Sequence, residues 1–482
     1  MNTHQADKPA KTPPSGSMTR RKFIKAATTV TAGFTIVPRH VLGGPRFVPP
    51  SEKVNIAIIG CGGQGLNNTR ALLQLPDAQV IALADPAEFH NLESFYYKGT
   101  AGRLKVKDVV EKHYSQKTPN YKVADYEDFR VMLEKEKSID AILCATPDHL
   151  HAYVCVTAMR QGKHAYCEKP LTHNVREARL VSKVARETGV ATQLGNHGHS
   201  GDFIRTTCEM IWEGAIGDIR EVHAWTAASR WNPKHPGGRP APEPVPKGMN
   251  WDLWLGPREP RPFSSVYSPV SWRDWWDFGT APIGDFFCHN FDPACWALDL
   301  KEPLSVEAFP AGGGVDAEMA PASGIYYYNF PARGKMPAVK FTWYEGGLMP
   351  PRPDILEPDD QLGSGGNGIL FIGEKGMITC AGWGGRPTLL PGARDAEYKR
   401  PAKTLVRSKG HHRDWVDACK GGPAASSNFE YGAALTEVGL LGLAAMRTRK
   451  KIYWDAKAMK ATNAPEADKY LQGTYRKGWE VV

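Results

Sequence analysis

Short apolar runs and amphipathic stretches take turns over residues 54–195. Val54-Asn55-Ile56-Ala57-Ile58-Ile59 has the length and aliphatic content of a buried strand. "LNNTRALLQL" then predicts a helix and "AQVIALADP" a second buried strand. The alternation continues with "DYEDFRVMLEKE" (helix), "IDAILCATP" (strand), "HLHAYVCVTAMRQG" (helix), "HAYCEKP" (strand), "NVREARLVSKVARETG" (helix) and "VATQLG" (strand). Strands alternating with helices predict a parallel, doubly wound α/β sheet.

Beyond residue 196 the periodicity weakens. Nine of the fourteen tryptophans lie between Trp212 and Trp296. Residues 232–269, rich in Pro and Gly, read as a long ordered loop, and residues 351–368 as a polar loop able to rim a site. "HHRDWVDACKGG" (411–422) reads as a helix with a Gly stop, whose His411 and His412 could approach a site. The apolar stretch 431–448 predicts a helix packing back on the first domain. Aromatic faces stack on the C–H faces of pyranose rings, which makes Arg230, Trp231, Tyr267 and Trp275 the first candidates for sugar contacts. The plainer use of such residues is core and oligomer packing.

The turn after the first strand carries chemistry. Gly60-Cys61-Gly62-Gly63-Gln64-Gly65 is a G-x-G-x-x-G run between strand and helix. Gly60 permits the tight turn, Gly62 lets the backbone approach a pyrophosphate, and Gly65 lets the helix pack closely. The pyrophosphate would then rest on N–H groups at the helix N-terminus. Asp85 ends the next strand about 20 residues on, where its carboxylate accepts from a ribose 2′-hydroxyl and repels a 2′-phosphate. NAD is therefore expected rather than NADP.

Composition narrows the picture. The 482 residues suit two domains; 41% are hydrophobic and 23% charged, with a net charge of +9 spread along the chain. No basic run points to nucleic acid. After the N-terminal segment no apolar run approaches the length of a membrane span. The nine cysteines form no CxxC pair, so they read as small buried hydrophobes, and neither a disulfide framework nor a metal site is expected. Thr19-Arg20-Arg21-Lys22-Phe23-Ile24-Lys25 resembles a twin-arginine signal, with a weakly apolar segment, Ala26 to Val37, behind it. The expected layout is a tail and signal (1–50), an NAD-binding domain (51–195) and a substrate and oligomerisation domain (196–482).

"ATPDHLH" (145–151), "CEKPLT" (167–172) and the glycine turn together resemble the Gfo/Idh/MocA oxidoreductases. The resemblance implies a Rossmann domain followed by an α/β domain with an open, mostly antiparallel sheet that often mediates dimers or tetramers. It places the motif lysine at Lys169, before a Pro170 that is often cis, and the Asp and His of a second motif at Asp285 and His289 in "GTAPIGDFFCHNFD". The implied cofactor contacts are Gly60, Gly62, Gln64, Gly65, Asp85, Thr146, Pro147, His151, Glu168, Lys169 and Asn196. Asp148 stands where relatives usually have Asn, and His197 where they often have Gln. Asp285 and His289, four residues apart, share one helical face. Oxidising a CH–OH carbon requires removal of the hydroxyl proton, a task for a neutral histidine or for a lysine made neutral by a cationic nicotinamide. Asp285 would orient the hydroxyl or the histidine. Asp285, His289 and Asp292 also have a spacing that could ligate zinc or manganese, although Asp292 reads as a structural helix residue.

The expected function is exported, NAD-dependent oxidation of a sugar or glycoside CH–OH group, with C3 of a pyranose a candidate carbon. Lys169, His197, Arg230, Trp231, Tyr267, Trp275, Asp285 and His289 would meet the substrate. Two alternatives are an NAD-dependent glycosidase, working by transient oxidation, elimination, hydration and re-reduction, and a non-catalytic NAD-bound sugar-binding protein. The twin-arginine route carries folded proteins, so the periplasmic product would carry its NAD with it, recycle it in place and keep its cysteines unpaired.

Overall fold

A computed structural model describes residues 49–311 and 315–481; the arginine pair and the polar tail lie outside the described residues. Six parallel strands form the first sheet: β1 (Val54–Ile59), β2 (Ala78–Ala84), β5 (Ala124–Tyr126), β6 (Ala141–Cys144), β7 (His164–Cys167) and β8 (Thr192–Leu194), in the order β5-β2-β1-β6-β7-β8. Every residue of β6 is buried, as a strand covered on both faces requires. A hairpin of β3 (His90–Asn91) and β4 (Thr100–Ala101) precedes β5.

Helices α1 (Gly63–Leu72), α2 (Arg103–Ser115), α3 (Phe129–Lys135), α4 (Asp148–Arg160) and α5 (Val175–Thr188) connect the strands. Local chemistry sets their ends. The Asn174 side chain accepts from the Glu177 N–H at the start of α5, and the Glu177 carboxylate reaches back to the His173 N–H. Gly189, in the left-handed region, ends the helix. The hairpin, α2 and β5 escape the hydrophobic pattern: α2 is rich in lysine and buries only Arg103, Val106 and Val110.

The second sheet has nine strands: β9 (Ile219–Trp225), β10 (Ser305–Ala311), β11 (Ser323–Phe330), β12 (Val339–Glu345), β13 (Gly368–Gly373), β14 (Gly376–Ala381), β15 (Pro387–Leu390), β16 (Ile452–Asp455) and β17 (Lys460–Ala461). Their order is β15-β14-β13-β9-β12-β11-β10-β16-β17, antiparallel except between β9 and β12. Tyr326, Tyr328 and Phe330 of β11 are buried while Tyr327 is 41% exposed, the two-residue period of a sheet with one covered face.

Helix α6 (Ala281–Asn290) and α7 (Asp292–Leu298) cover that face, with Phe287 and Phe291 against Tyr328, Phe341 and Trp343. Helix α8 (His411–Cys419) is tied to the first sheet by Arg413, which donates to Asp77. Helix α9 (Phe429–Thr448) runs between the sheets. Its Gly432 backs on Leu194 of β8, Gly439 on Phe287, and Gly442 on Tyr328 and Ile283.

Residues 232–269 hold one short helical turn, Trp251–Leu255, and otherwise irregular chain. Its Trp251, Trp254, Phe263 and Tyr267 form a separate core with Trp272, Trp275, Phe278 and Met319.

Candidate active site

The first sheet ends its strands at a cavity of about 620 Å³. Gly60 follows β1, Asp85 β2, Thr146 β6 and Glu168-Lys169 β7, and all of them line it, as ligand crevices at the carboxyl ends of parallel strands do. Arg273 from the aromatic segment, Asp285 and His289 from α6, and Trp383 close the other side.

The glycine turn fits NAD. Gly60 has φ +89°, and a Cβ there would lie 2.5 Å from the Ala145–Thr146 backbone. A Cβ on Gly65 would lie 2.0 Å from the Gly60 carbonyl, so α1 packs directly on the turn. Gly62 is different, with nothing within 4 Å of where its Cβ would be, and it faces the cavity at the start of α1. Asp85 accepts from the N–H groups of Cys61 (2.6 Å) and Ala87 (2.8 Å), which hold its carboxylate at the cavity wall. Gly62, Gly63 and Gln64 would hold the pyrophosphate and Asp85 a ribose.

At the opposite end is a charged centre. The peptide bond before Pro170 is cis, and Lys169 Nζ donates to Asp285 Oδ1 at 2.5 Å. Arg273 Nε reaches the same oxygen at 3.4 Å. Its guanidinium carbon lies 4.2 Å from the Trp272 ring centre. Burial would raise Asp285, but Lys169 and Arg273 pull it down to about 2. Burial would lower Lys169, yet the Asp285 carboxylate holds its ammonium above the ordinary lysine value. Asp285 therefore favours the charged form of Lys169 and opposes the push toward neutrality expected from a cationic nicotinamide. His289, one helical turn from Asp285, is lowered to about 3 by burial and by Lys169, and its Nδ1 is buried without a partner. Both effects favour its neutral form.

The other expected residues divide. Gln64, Thr146, Pro147, Glu168 and His197 line the cavity with those above. Glu168 accepts from Asn68 Nδ2 (2.8 Å) and Gln64 Nε2 (3.3 Å), which ties the lysine loop to α1. His197 lies 3.1 Å from the Tyr166 hydroxyl and 3.6 Å from Glu168.

Several expected contacts are corrected. His151 is buried under the site, its ring nitrogens facing the carbonyls of Pro170 (2.8 Å) and Thr146 (2.9 Å); it braces both loops and does not reach the cavity. Asn196, fully buried, donates to Asp292 and accepts from Ser427. Asp292 also accepts from His199 (3.0 Å) and Tyr431, so it belongs to this polar core and not to a metal centre with His289. Tyr267 and Trp275 are each 1% exposed inside the aromatic core. Arg230 donates to the Ala320 carbonyl (2.7 Å), and Trp231 lies beside Arg273 behind the wall. Residues 351–368 and His411 and His412 do not line the cavity; His412 stacks on Tyr166 and hydrogen-bonds Asn68.

Sequence reasoning missed Arg273, Tyr96, Tyr97, Asp148, Trp254, Trp272 and Trp383, all of which line the cavity. Tyr96 and Tyr97 come from the β3–β4 hairpin, and no spacing rule marks Arg273 within "SWRDWW". Asp148 carries a signal: it opens α4 at a position where relatives usually have Asn.

Comparison with known proteins identifies the fold and the family. Residues 54–196 match the NAD-binding Rossmann-fold domain of the Gfo/Idh/MocA oxidoreductase family, and residues 219–320 its C-terminal α/β domain. An alpha-N-acetylgalactosaminidase of Shewanella oneidensis is 25% identical over 233 residues, 45% of this chain and 47% of that protein. A 2,7-anhydro-N-acetylneuraminate hydratase of Escherichia coli is 29% identical over 102 residues, 21% of this chain and 27% of that protein. The chain thus spans about half or less of the length of these curated relatives. Among solved structures, the WlbA dehydrogenase of Bordetella pertussis, in complex with NADH and UDP-GlcNAcA, has a TM-score of 0.55 at 16% identity over 84% of this chain and 98% of that one. The aldose-aldose oxidoreductase of Caulobacter crescentus has a TM-score of 0.51 at 15% identity over 83% and 100% of the two chains. The two family matches together span just over half of the sequence, and the chain belongs to the Gfo/Idh/MocA family of NAD-binding oxidoreductases.

Proposed function

We propose that the protein oxidises a CH–OH group of a sugar or glycoside, with C3 of a pyranose as the preferred carbon. The observation that carries this reading is the Lys169–Asp285 pair at 2.5 Å, with neutral His289 beside it, in one cavity with the glycine turn. NAD, when bound, supplies the hydride acceptor. Lys169, held as an ammonium, donates to the substrate hydroxyl oxygen and fixes its position. Asp285 holds Lys169 and Arg273 in register. His289 is the uncharged acceptor for the hydroxyl proton. Trp254, Trp272 and Trp383 offer the aromatic faces a pyranose ring stacks on. The presence of Lys169, Asp285 and His289 in one cavity speaks against the non-catalytic alternative.

A second reading is net hydrolysis, favoured by relatives named alpha-N-acetylgalactosaminidase and glycosyl hydrolase family 109 protein. A ketone at C3 acidifies C2–H, so the aglycone can leave by elimination, water can add, and re-reduction restores the sugar. One experiment separates the readings. The purified protein, its bound NAD verified by mass, is mixed with sugars, cyclitols and aryl glycosides. NADH absorbance with accumulating ketosugar supports oxidation. Release of free sugar without added NAD supports hydrolysis. Neither, with any of these substrates, sinks both.

We also propose folded export to the periplasm through the Arg20-Arg21 signal, with NAD retained and recycled in place. Replacing both arginines by lysine should leave the protein in the cytoplasm. The open face of the second sheet, which exposes Phe309, Tyr327 and Tyr453, supports a homo-oligomer, a dimer or tetramer measurable by light scattering.

A further inference from the structure

Cys144, Cys155 and Cys167 are far apart in the sequence pattern and were expected to be scattered core residues. The fold brings them together. Cys144 ends β6 and Cys167 ends β7, directly opposite each other in the parallel register, and Cys155 comes down from α4. The three sulfurs lie within 4.8 Å of one another and all three residues are 0% exposed. Among the described residues no other group of three His, Cys, Asp or Glu side chains converges this way.

We propose that this triangle of thiols is a binding site for a single copper(I) ion. Three sulfurs and no harder ligand select a soft, thiophilic cation. Zinc in a structural site requires four ligands, and no fourth is at hand. His151 cannot serve, because both its ring nitrogens already face carbonyl oxygens. The nearest polar group on Cys144 is the Thr146 hydroxyl at 3.4 Å, a hard donor ill suited to the ion that sulfur prefers. A three-coordinate copper(I) site takes all its donor atoms from the triangle; with three thiolates it carries two net negative charges. Each sulfur that bonds the ion releases its proton, and no electron changes hands.

The position gives the site its consequence. Cys144 lies two residues before Thr146, and Cys167 directly before Glu168-Lys169. An ion here would cross-link the ends of β6 and β7 beneath both loops that line the cavity.

The test uses the purified protein under anaerobic conditions, with copper(I) delivered from a chromophoric chelator such as bicinchoninate. The expected result is one equivalent retained after desalting, an ultraviolet thiolate-to-copper charge-transfer band, and a shell of three sulfurs by X-ray absorption. Bound ion should also raise the melting temperature, because the assembled triangle holds it more tightly than the separated thiols of the unfolded chain do. Cys155 does not line the cavity, so Cys155→Ser should lose the three-sulfur shell while keeping NAD; Cys155→Ala serves if the hydroxyl is not tolerated in the core. Cys419→Ser should keep both. No uptake by the parent protein, or retention of the three-sulfur shell in both Cys155 variants, would overturn the proposal. So would tighter retention of zinc than of copper(I).

Discussion

The two walls of the cavity are built by different means. On the cofactor wall the backbone does most of the shaping: Gly60 turns, Gly65 lets α1 close on that turn, and Gly62 leaves room. On the facing wall side chains do it: Asp285 and His289 project from α6, Trp254 from the short turn Trp251–Leu255, Trp272 and Arg273 from a single 3-10 turn, and Trp383 from a loop. A backbone site advertises itself, because only glycine meets its steric demands at fixed spacing. A side-chain site is assembled by tertiary packing, and the residue types it uses also fill cores.

The largest test of that contrast is Lys169→Ala. It removes the ammonium proposed to position the substrate but nothing that shapes the glycine turn. Turnover should fall by about 10²–10³-fold while NAD affinity, read by tryptophan quenching, changes little. An equal loss of NAD binding would show that the two walls are not separable.

Next in size are the tryptophans. Trp275, buried in the aromatic core, should cost about 3–5 kcal/mol when truncated to alanine, by denaturant midpoint. Trp383, at the cavity mouth and 44% exposed, should leave stability nearly unchanged and raise KM when truncated. If Trp275→Ala changed KM with stability intact, its assignment to the core would fail.

The glycines divide the cofactor wall itself. Gly60→Ala meets a left-handed φ and the Ala145–Thr146 backbone, and should destabilise the fold by about 2–4 kcal/mol. Gly62→Ala meets no protein atom, so its melting temperature should hold while NAD binds more weakly. Weaker cofactor binding without destabilisation in Gly60→Ala would mean the turn can relax.

What was legible follows the same division. The strands β1, β2, β6, β7 and β8 and their helices could be read because burial on both faces leaves unbroken apolar runs between amphipathic ones. Lys169, Asp285 and His289 could be read because two motifs carry them. Tyr267 and Trp275 misled because an aromatic side chain looks the same in a core as in a sugar site, and only the packing of residues 251–278 decides. Arg273 was invisible for the converse reason: its role depends on Asp285, twelve residues away on another element. His151 fell between these cases, since its motif was visible but the two carbonyls it braces were not.

Asp148 offers the smallest effect and the most pointed one, because it joins the walls. At the start of α4 its carboxylate accepts from Thr280 Oγ1 at 2.5 Å, just ahead of α6. Burial raises it to about 6, a rise only partly offset by His151, Thr280 and Arg273. An aspartate in the unfolded chain ionises near 3.8. Between these values the folded protein keeps a proton that the unfolded chain has released. This group therefore costs nothing below about pH 4, and its cost grows as pH rises, reaching its full value above about 6. Asp148→Asn retains a carbonyl that can accept from Thr280 but cannot ionise. The variant should be more stable than its parent by about 1–3 kcal/mol at pH 7.5, with the gap closing toward pH 4. Urea midpoints at the two pH values measure this directly. A gap that does not change with pH would mean that Arg273 and His151 fully compensate the Asp148 charge, and that the link between the walls is a hydrogen bond without an electrostatic penalty.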